Sequence, residues 1–319
     1  KMWPRAQRAT GFLNAVLRKV VADRSAFDAA PVEANWSAWL RTMITEGLGA
    51  KAAAALADAQ TQMPETYLTP KMGDAAALAN QVGGTVVADT SVRVETNAVD
   101  ALPGYEEGDW WVQDIAATLP ARILGAKAGE TVLDIYAAPG GKTLQLAATG
   151  ASVTAIDRSK PRLKRLKQNL WRTKFKGEVE VVQADATEWR PDAPVDRILL
   201  DAPCSALGTL RRHPEGAWIK SPEDVARFPD IQERLLRASL DMLKPGGMLV
   251  YCVCSPLPHE GMDVVERVLV DTQASRQPIG PEDIQGFEPC LTAHGDLLTL
   301  PNGAFVHDAF YIARLTRES

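Results

Sequence analysis

The residues of this chain most able to do covalent chemistry are its four cysteines, Cys204, Cys252, Cys254 and Cys290. They lack the paired spacing of a metal-ligand set, and only His259 lies near Cys252 and Cys254, so no metal site is expected. Two cysteines directly follow apolar, β-prone runs. Residues 197–200 lead into Asp201-Ala202-Pro203-Cys204-Ser205, and residues 248–253 lead into Cys254-Ser255. A thiol that follows a buried strand is delivered to the rim of a sheet, where it can serve as a nucleophile. Cys252 and Cys290 read as buried structural thiols.

A second group surrounds a glycine turn. The run 131–136 continues into Tyr136-Ala137-Ala138-Pro139-Gly140-Gly141-Lys142-Thr143 and then a helix start. Small residues and two glycines let backbone approach a ligand closely, and the first N–H groups of a helix face polar or anionic atoms. A phosphate-binding P-loop would need glycine where Tyr136 stands, and the G-x-G-x-x-G dinucleotide fingerprint is absent. The next strand, 152–156, ends at Asp157, about twenty residues beyond the loop, where such folds use an acidic side chain to accept ribose hydroxyls. A third strand, 179–183, leads to Asp185, placed for an adenine amino group. This is an adenosine-shaped site without a pyrophosphate cradle, and S-adenosylmethionine is its best candidate ligand. The expected cofactor residues are Tyr136, Ala137, Ala138, Pro139, Gly140, Gly141, Lys142, Asp157, Asp185 and Asp201.

Those positions require a particular frame. With 319 residues, 46% hydrophobic and 24% charged, the chain reads as an ordinary globular protein of about two domains, long enough to form a core without disulfides. No apolar run is long enough for a membrane span and no signal peptide is evident, so a cytoplasmic protein with reduced thiols is expected. The chain opens on Lys1, which suggests that a longer natural protein precedes it. Residues 1–63 read as helical, with Phe12, Val16, Leu17 and Val20, then Trp36, Trp39, Leu40 and Ile44, at helical spacing, followed by an Ala-rich stretch at 51–60. Residues 64–103 read as a small α+β module: a strand, a helix over 74–81, a Gly83-Gly84 turn and two β-prone stretches around Val86 and Val92. From 104 to 319 strands and helices alternate, the pattern of an α/β, doubly wound, Rossmann-like domain. Its helices start near Thr143, Ser159 and Pro222, and hairpin-like strands fill 305–315.

The formal net charge of −5 argues against a generally sticky polyanion binder, yet nine Lys and Arg residues and no acidic one lie between Arg158 and Lys176. Such a run alone reads as a solvated helix face. A second basic group is Arg211-Arg212-His213.

Taken in order, Leu133-Asp134, the 137–143 loop, Asp157, Asp185, Asp201-Ala202-Pro203-Cys204-Ser205, Gly208-Thr209, Arg211-Arg212-His213-Pro214 and Cys254-Ser255 resemble the motifs of the Rsm/Nop/Sun family of RNA cytosine-5 methyltransferases. The likeness runs from about residue 104 to the C-terminus. Gly11–Arg18 and Gly108–Asp114 further resemble the branch that acts on small-subunit (16S) ribosomal RNA, here lacking most of its N-terminal NusB-like domain. Tyr136, Val253 and Ala309 depart from the family pattern.

The resemblance implies methylation of cytosine carbon 5 in RNA through a covalent Cys–cytosine adduct. It implies that Cys254 adds to carbon 6 and Cys204 assists release, whereas sequence spacing by itself leaves the two roles open. Asp201 would bond the cytosine edge, Lys142 would neutralise charge, and an unstacked base is the target. Arg158, Arg162, Lys164, Arg165, Arg172, Arg211, Arg212 and His213 would then hold RNA phosphates. The implied partner is 16S ribosomal RNA or a small-subunit assembly intermediate, with the protein a monomer. The rival readings are a catalytically silent RNA-binding or ribosome-assembly factor on the same scaffold and, more distantly, a P-loop nucleotidase.

Overall fold

The computed structural model describes residues 9–96, 98–175, 177–301 and 305–318, without the side chains of 26 and 27. Three longer helices come first: α1 (Thr10–Ala22), α2 (Ala38–Leu48) and α3 (Ala50–Thr61). The apolar stripe of α1 is not covered among the described residues, and Phe12 and Leu17 stand exposed. By contrast α2 and α3 bury Leu40, Ile44, Ala53 and Leu56 together with Trp36. Their partners are Leu207, Leu210, Ala217 and Leu257, so this helical pair packs on the segments that follow Cys204 and Cys254. Gln60 links the two parts by accepting from the Trp36 indole (2.8 Å) and donating to the Leu207 carbonyl (3.2 Å).

A four-stranded sheet follows, built from β1 (Thr66–Pro70), β2 (Thr85–Val87), β3 (Ser91–Val94) and β4 (Trp110–Val112), in the order β2-β3-β1-β4. Helix α4 (Ala75–Val82) covers it, capped by Asp74 at its start and by Gly83 in the left-handed region at its end. The boundary expected at residue 103 is corrected here: β4 belongs to the small sheet, because fully buried Trp110 packs with Leu68, Leu78 and Val92 and donates to the Pro103 carbonyl at 2.8 Å.

The larger sheet contains β5 (Thr131–Ile135), β6 (Ser152–Ile156), β7 (Val179–Val182), β8 (Val195–Asp201), β9 (Leu243–Val253), β10 (Ala274–Arg276), β11 (Leu297–Leu298) and β12 (Tyr311–Arg317). Its order is β10-β12-β9-β8-β5-β6-β7, with β11 beside β12; β5 to β9 are mutually parallel, and β12 pairs antiparallel with β9, β10 and β11. The hairpin expected over 305–315 is therefore displaced: 308–310 turn into the site described below, and pairing resumes at Tyr311.

Helices α5 (Ile115–Leu124), α6 (Gly141–Ala148) and α7 (Lys160–Arg172) cover one face, while α9 (Phe228–Met242), reached through the short α8 (Pro222–Ala226), and α10 (Met262–Leu269) cover the other. Alternation along β9 sends Leu249, Tyr251 and Val253 to the second core and Val250 and Cys252 to the first. Chain order reverses between β5 and β8, which opens a crevice beyond their carboxyl ends.

Candidate active site

The loop after β5 is built for close approach. Tyr136 (φ 62°) and Gly140 (φ 113°) both adopt left-handed backbone, and Gly140 caps α6. A Cβ at Gly140 would lie 3.0 Å from Leu166, and one at Gly141 would lie 3.2 Å from the Gln113 side chain, so the loop rests tightly on its neighbours. The Ala138 carbonyl accepts from Arg162 and the Pro139 carbonyl accepts from Asn169 at 2.8 Å.

Beside the loop, Asp157 is 1% exposed. Its Oδ1 accepts from the Ser159 N–H at 2.8 Å; its Oδ2 lies 3.3 Å from Arg162 in an ion pair, without hydrogen-bond geometry. Asp185, at the rim, accepts from the Thr187 N–H and hydroxyl, which hold its carboxyl below the usual range. Half-buried Tyr136 has its phenol pushed up by burial, with Asp185 and Asp157 among the charges it feels.

Asp134, at the end of β5, is fully buried. Its Oδ2 accepts from the Thr143 hydroxyl at 2.5 Å and its Oδ1 has no hydrogen-bond partner. Burial raises its pKa to about 7, against the opposing Thr143 hydrogen bond. A folded-state value above the unfolded one means that stability is lost as pH rises from about 4 through 7. Asp134→Asn, which can still accept from Thr143, is expected to gain on the native protein by a few kcal/mol between pH 5 and pH 8. Urea denaturation at the two pH values measures the gap; a gap that does not change with pH would refute the assignment.

The two cysteine segments meet across the β8–β9 rim. Cys204 Sγ and Cys254 Sγ are 3.3 Å apart, each partly exposed. Their backbone frame is tight: Gly208 N–H donates to the Cys254 carbonyl and Ala309 N–H to the Gly208 carbonyl, both at 3.0 Å. A Cβ at Gly208 would fall 1.9 Å from the Ala309 carbonyl oxygen, so only glycine fits. The hydrogen bond that Cys204 makes to Cys254, burial and the charge of Glu260 together push the Cys204 thiol well up.

Lys142 reaches the same rim, with Nζ 2.8 Å from Asp201 Oδ2 and 5.3 Å from the centre of the Phe310 ring. Burial alone would lower its pKa, but Asp201 and the neighbouring thiols Cys252 and Cys254 more than offset this, and Lys142 stays an ammonium. The remaining Asp201 oxygen accepts from the Cys252 thiol at 3.6 Å, so this cysteine, expected to be purely structural, touches the site.

The basic residues divide into two groups. Arg211 is a correction: it is buried, 3.3 Å from both Asp114 and Asp308, and is not free to meet RNA. Arg172 is another, because it donates to the Tyr105 (2.7 Å) and Trp110 (3.0 Å) carbonyls and stacks on the Tyr105 ring. Arg162 is committed to the cofactor loop and Arg212 to Asp308. In each case carbonyls or carboxylates engage the guanidinium within the fold, although Nε and Nη1 of Arg211 are buried without a hydrogen-bond partner. Arg158, Lys160, Lys164, Arg165 and Lys167 remain exposed, as does His213 near Glu215; Lys176 lies outside the described residues. Trp171, also exposed on α7, carried no sequence signal beyond its basic neighbours. Glu260 was likewise missed, being an isolated residue outside any recognisable motif.

No group of three or more His, Cys, Asp or Glu among the described residues is arranged to hold a metal ion, and no described helix is long and apolar enough to cross a membrane.

Comparison with known proteins bears on this geometry. The family model for 16S rRNA methyltransferase RsmB/F matches residues 121–316. Ribosomal RNA small subunit methyltransferase B of Cronobacter sakazakii is 40% identical over 232 residues, covering 72% of this chain and 52% of that protein. The chain thus spans about half the length of such relatives. Among solved structures, NSun6 from Pyrococcus horikoshii with SFG (TM-score 0.76, 18% identity, 89% of this chain and 98% of that one) and a methyltransferase homologue from the same organism (TM-score 0.73, 24% identity, 88% and 95%) share the fold. With a family model covering more than half of its residues, the chain belongs to the RsmB/F family of 16S rRNA methyltransferases.

Proposed function

We propose that this chain methylates carbon 5 of a cytosine in 16S ribosomal RNA, using S-adenosylmethionine and a transient Cys254–cytosine adduct, as a cytoplasmic monomer. The observation that carries the reading is the 3.3 Å approach of two partly exposed thiols beside the Lys142–Asp201 pair.

The residues present fit the cofactor. Asp157 offers a buried Oδ2 with no hydrogen bond to the ribose hydroxyls, Asp185 faces the adenine end, and 136–141 supply close-packed backbone. The NSun6 structure was solved with SFG, an S-adenosylmethionine analogue, which supports the same reading. When bound, S-adenosylmethionine supplies an electrophilic methyl group.

The protein's own residues do the rest. Cys204 keeps its proton and shares it toward Cys254 Sγ, the attacking sulfur, with the Lys142 ammonium at the same rim. That sulfur adds to cytosine carbon 6, and the carbon 5–carbon 6 electron pair is released toward carbon 5, making it nucleophilic. Asp201 takes the polar edge of the ring. Once Cys254 is a thioether, the largest influence holding the Cys204 proton is gone. Cys204 can then lose its proton to solvent at the open rim and take the proton from methylated carbon 5, while the electron pair of that C–H bond re-forms the carbon 5–carbon 6 double bond and the carbon 6–sulfur bond breaks to return the Cys254 thiolate. RNA phosphates would lie on Arg158, Lys164 and Arg165 and near His213.

Calorimetry with S-adenosylmethionine, paired with bisulfite mapping of treated 16S RNA, tests this reading. Asp157→Ala is expected to weaken cofactor binding by about 10- to 100-fold, the worth of hydrogen bonds to a charged acceptor. A native protein that binds no S-adenosylmethionine would overturn the proposal.

A further inference from the structure

Each of the two cysteines is followed by a serine, and both serines meet the same buried carboxylate. We propose that Glu260 is the positioning residue that holds Cys204 and Cys254 at working distance, its one carboxylate gripping the residue after each of them. The inference rests on the reading of function above.

Glu260 Oε2 accepts from the Ser205 backbone N–H at 2.7 Å and Oε1 accepts from the Ser255 hydroxyl at 3.0 Å. The two serine hydroxyls are 3.2 Å apart. Gln232, from α9, donates to Glu260 Oε2 at 3.3 Å and to the Pro203 carbonyl at 3.0 Å, bracketing Cys204 from the other side. The Tyr251 hydroxyl donates to the Glu260 carbonyl at 2.5 Å, and the Lys220 ammonium donates to the Ser205 carbonyl. Ser205, Gln232, Ser255 and Glu260 are all 0% exposed.

A buried carboxylate normally needs a cation, because desolvation costs more than neutral hydrogen bonds return. Among the described residues no Lys, Arg or His forms an ion pair with Glu260. What this acid gains is geometry: two strand-end loops, fifty residues apart in sequence, are cross-linked at the residues that follow the two cysteines. A hydrophobic residue would pack the cavity and leave the loops free to part. Angular play of this kind is costly, since a displacement of about 1 Å at reacting atoms can cost on the order of 100-fold in rate.

Glutamine can reproduce the linkage. Its oxygen accepts from Ser205 and Gln232, its amide donates to the Ser255 oxygen, and the Ser255 hydroxyl turns toward Ser205. Alanine cannot.

The experiment compares the full chain with Glu260→Ala, Glu260→Gln and Ser255→Ala by two readouts. The first is steady-state methyl transfer to 16S RNA. The second is independent of methyl transfer: the rate at which oxidised glutathione converts the Cys204 and Cys254 thiols to a disulfide, two thiols losing two protons and two electrons as one oxidised glutathione becomes two reduced ones. Alkylation and peptide mass mapping measure it. For Glu260→Ala, kcat and the closure rate are expected to fall together by about 30-fold with KM for S-adenosylmethionine unchanged. Glu260→Gln is expected to recover most of both. Should Glu260→Ala fail to fold, Ser255→Ala, which cuts one grip, is expected to lose about fivefold in each rate.

A folded Glu260→Ala with native kcat and closure rate, a Ser255→Ala with both rates native, or a Glu260→Gln as impaired as the alanine variant, overturns the proposal. If the native chain closes the disulfide but transfers no methyl group, the functional reading fails while the thiol geometry stands.

Discussion

Cys254→Ala is expected to reduce methyl transfer by about 10⁴-fold or more, the usual consequence of removing a covalent nucleophile. Cys204→Ala is expected to do something different: methylated RNA stays attached to the protein, because addition proceeds and the proton on carbon 5 has no acceptor. The asymmetry follows from the rim itself. The two sulfurs lie 3.3 Å apart, and the Cys254 hydrogen bond, burial and Glu260 all raise the pKa of Cys204, which holds it as a thiol. Denaturing gels of protein incubated with RNA and S-adenosylmethionine read the result directly, as a slowly migrating, nuclease-sensitive band. The roles would be exchanged if the band accumulated with Cys254→Ala instead.

The second large effect concerns stability. Arg211→Ala would leave Asp114 and Asp308 buried without the guanidinium that lies 3.3 Å from each, only Arg212 remaining on Asp308. Removing one partner of such a cluster costs about 3–5 kcal/mol, much of it the penalty of an uncompensated buried charge. Urea denaturation should therefore show a strongly lowered midpoint with an unchanged slope. The outcome also separates the two readings of this residue. A phosphate-binding Arg211 would cost little stability, and its loss would lower the salt dependence of RNA binding by about one unit of slope. A loss below about 1 kcal/mol would count against the buried network.

How much was legible in the sequence follows from which forces leave a local trace. The strand ends that carry Asp157, Cys204 and Cys254 were readable because parallel strands, buried on both faces, appear as short continuous apolar runs with a polar residue at their ends. The core order β7-β6-β5-β8-β9 is the doubly wound arrangement expected from that alternation. Helix α5 was missed: it is apolar on nearly every face and contains Pro120, so it offers no clear period, and its one start signal, the capping Asp114, is a single residue. The boundary at 103 fell early because a Pro-Gly turn looks the same inside a module as between two. Arg211 and Arg172 were misassigned for a related reason, since composition reports charge but not the carboxylates and carbonyls folded against it. Glu260 had no local signature because its partners come from β9, from α9 and from the loop after β8.

The Gly208–Ala309 and Arg211–Asp308 contacts each span about a hundred residues of chain. During synthesis the segment bearing Cys204 and Cys254 emerges from the ribosome well before Asp308 does. Loop closure over that separation cannot begin until then. In a nascent chain the segments that follow Cys204 and Cys254 would accordingly lack this outer bracing until translation of the region ends, with the Glu260 linkage the earlier of the two supports to form.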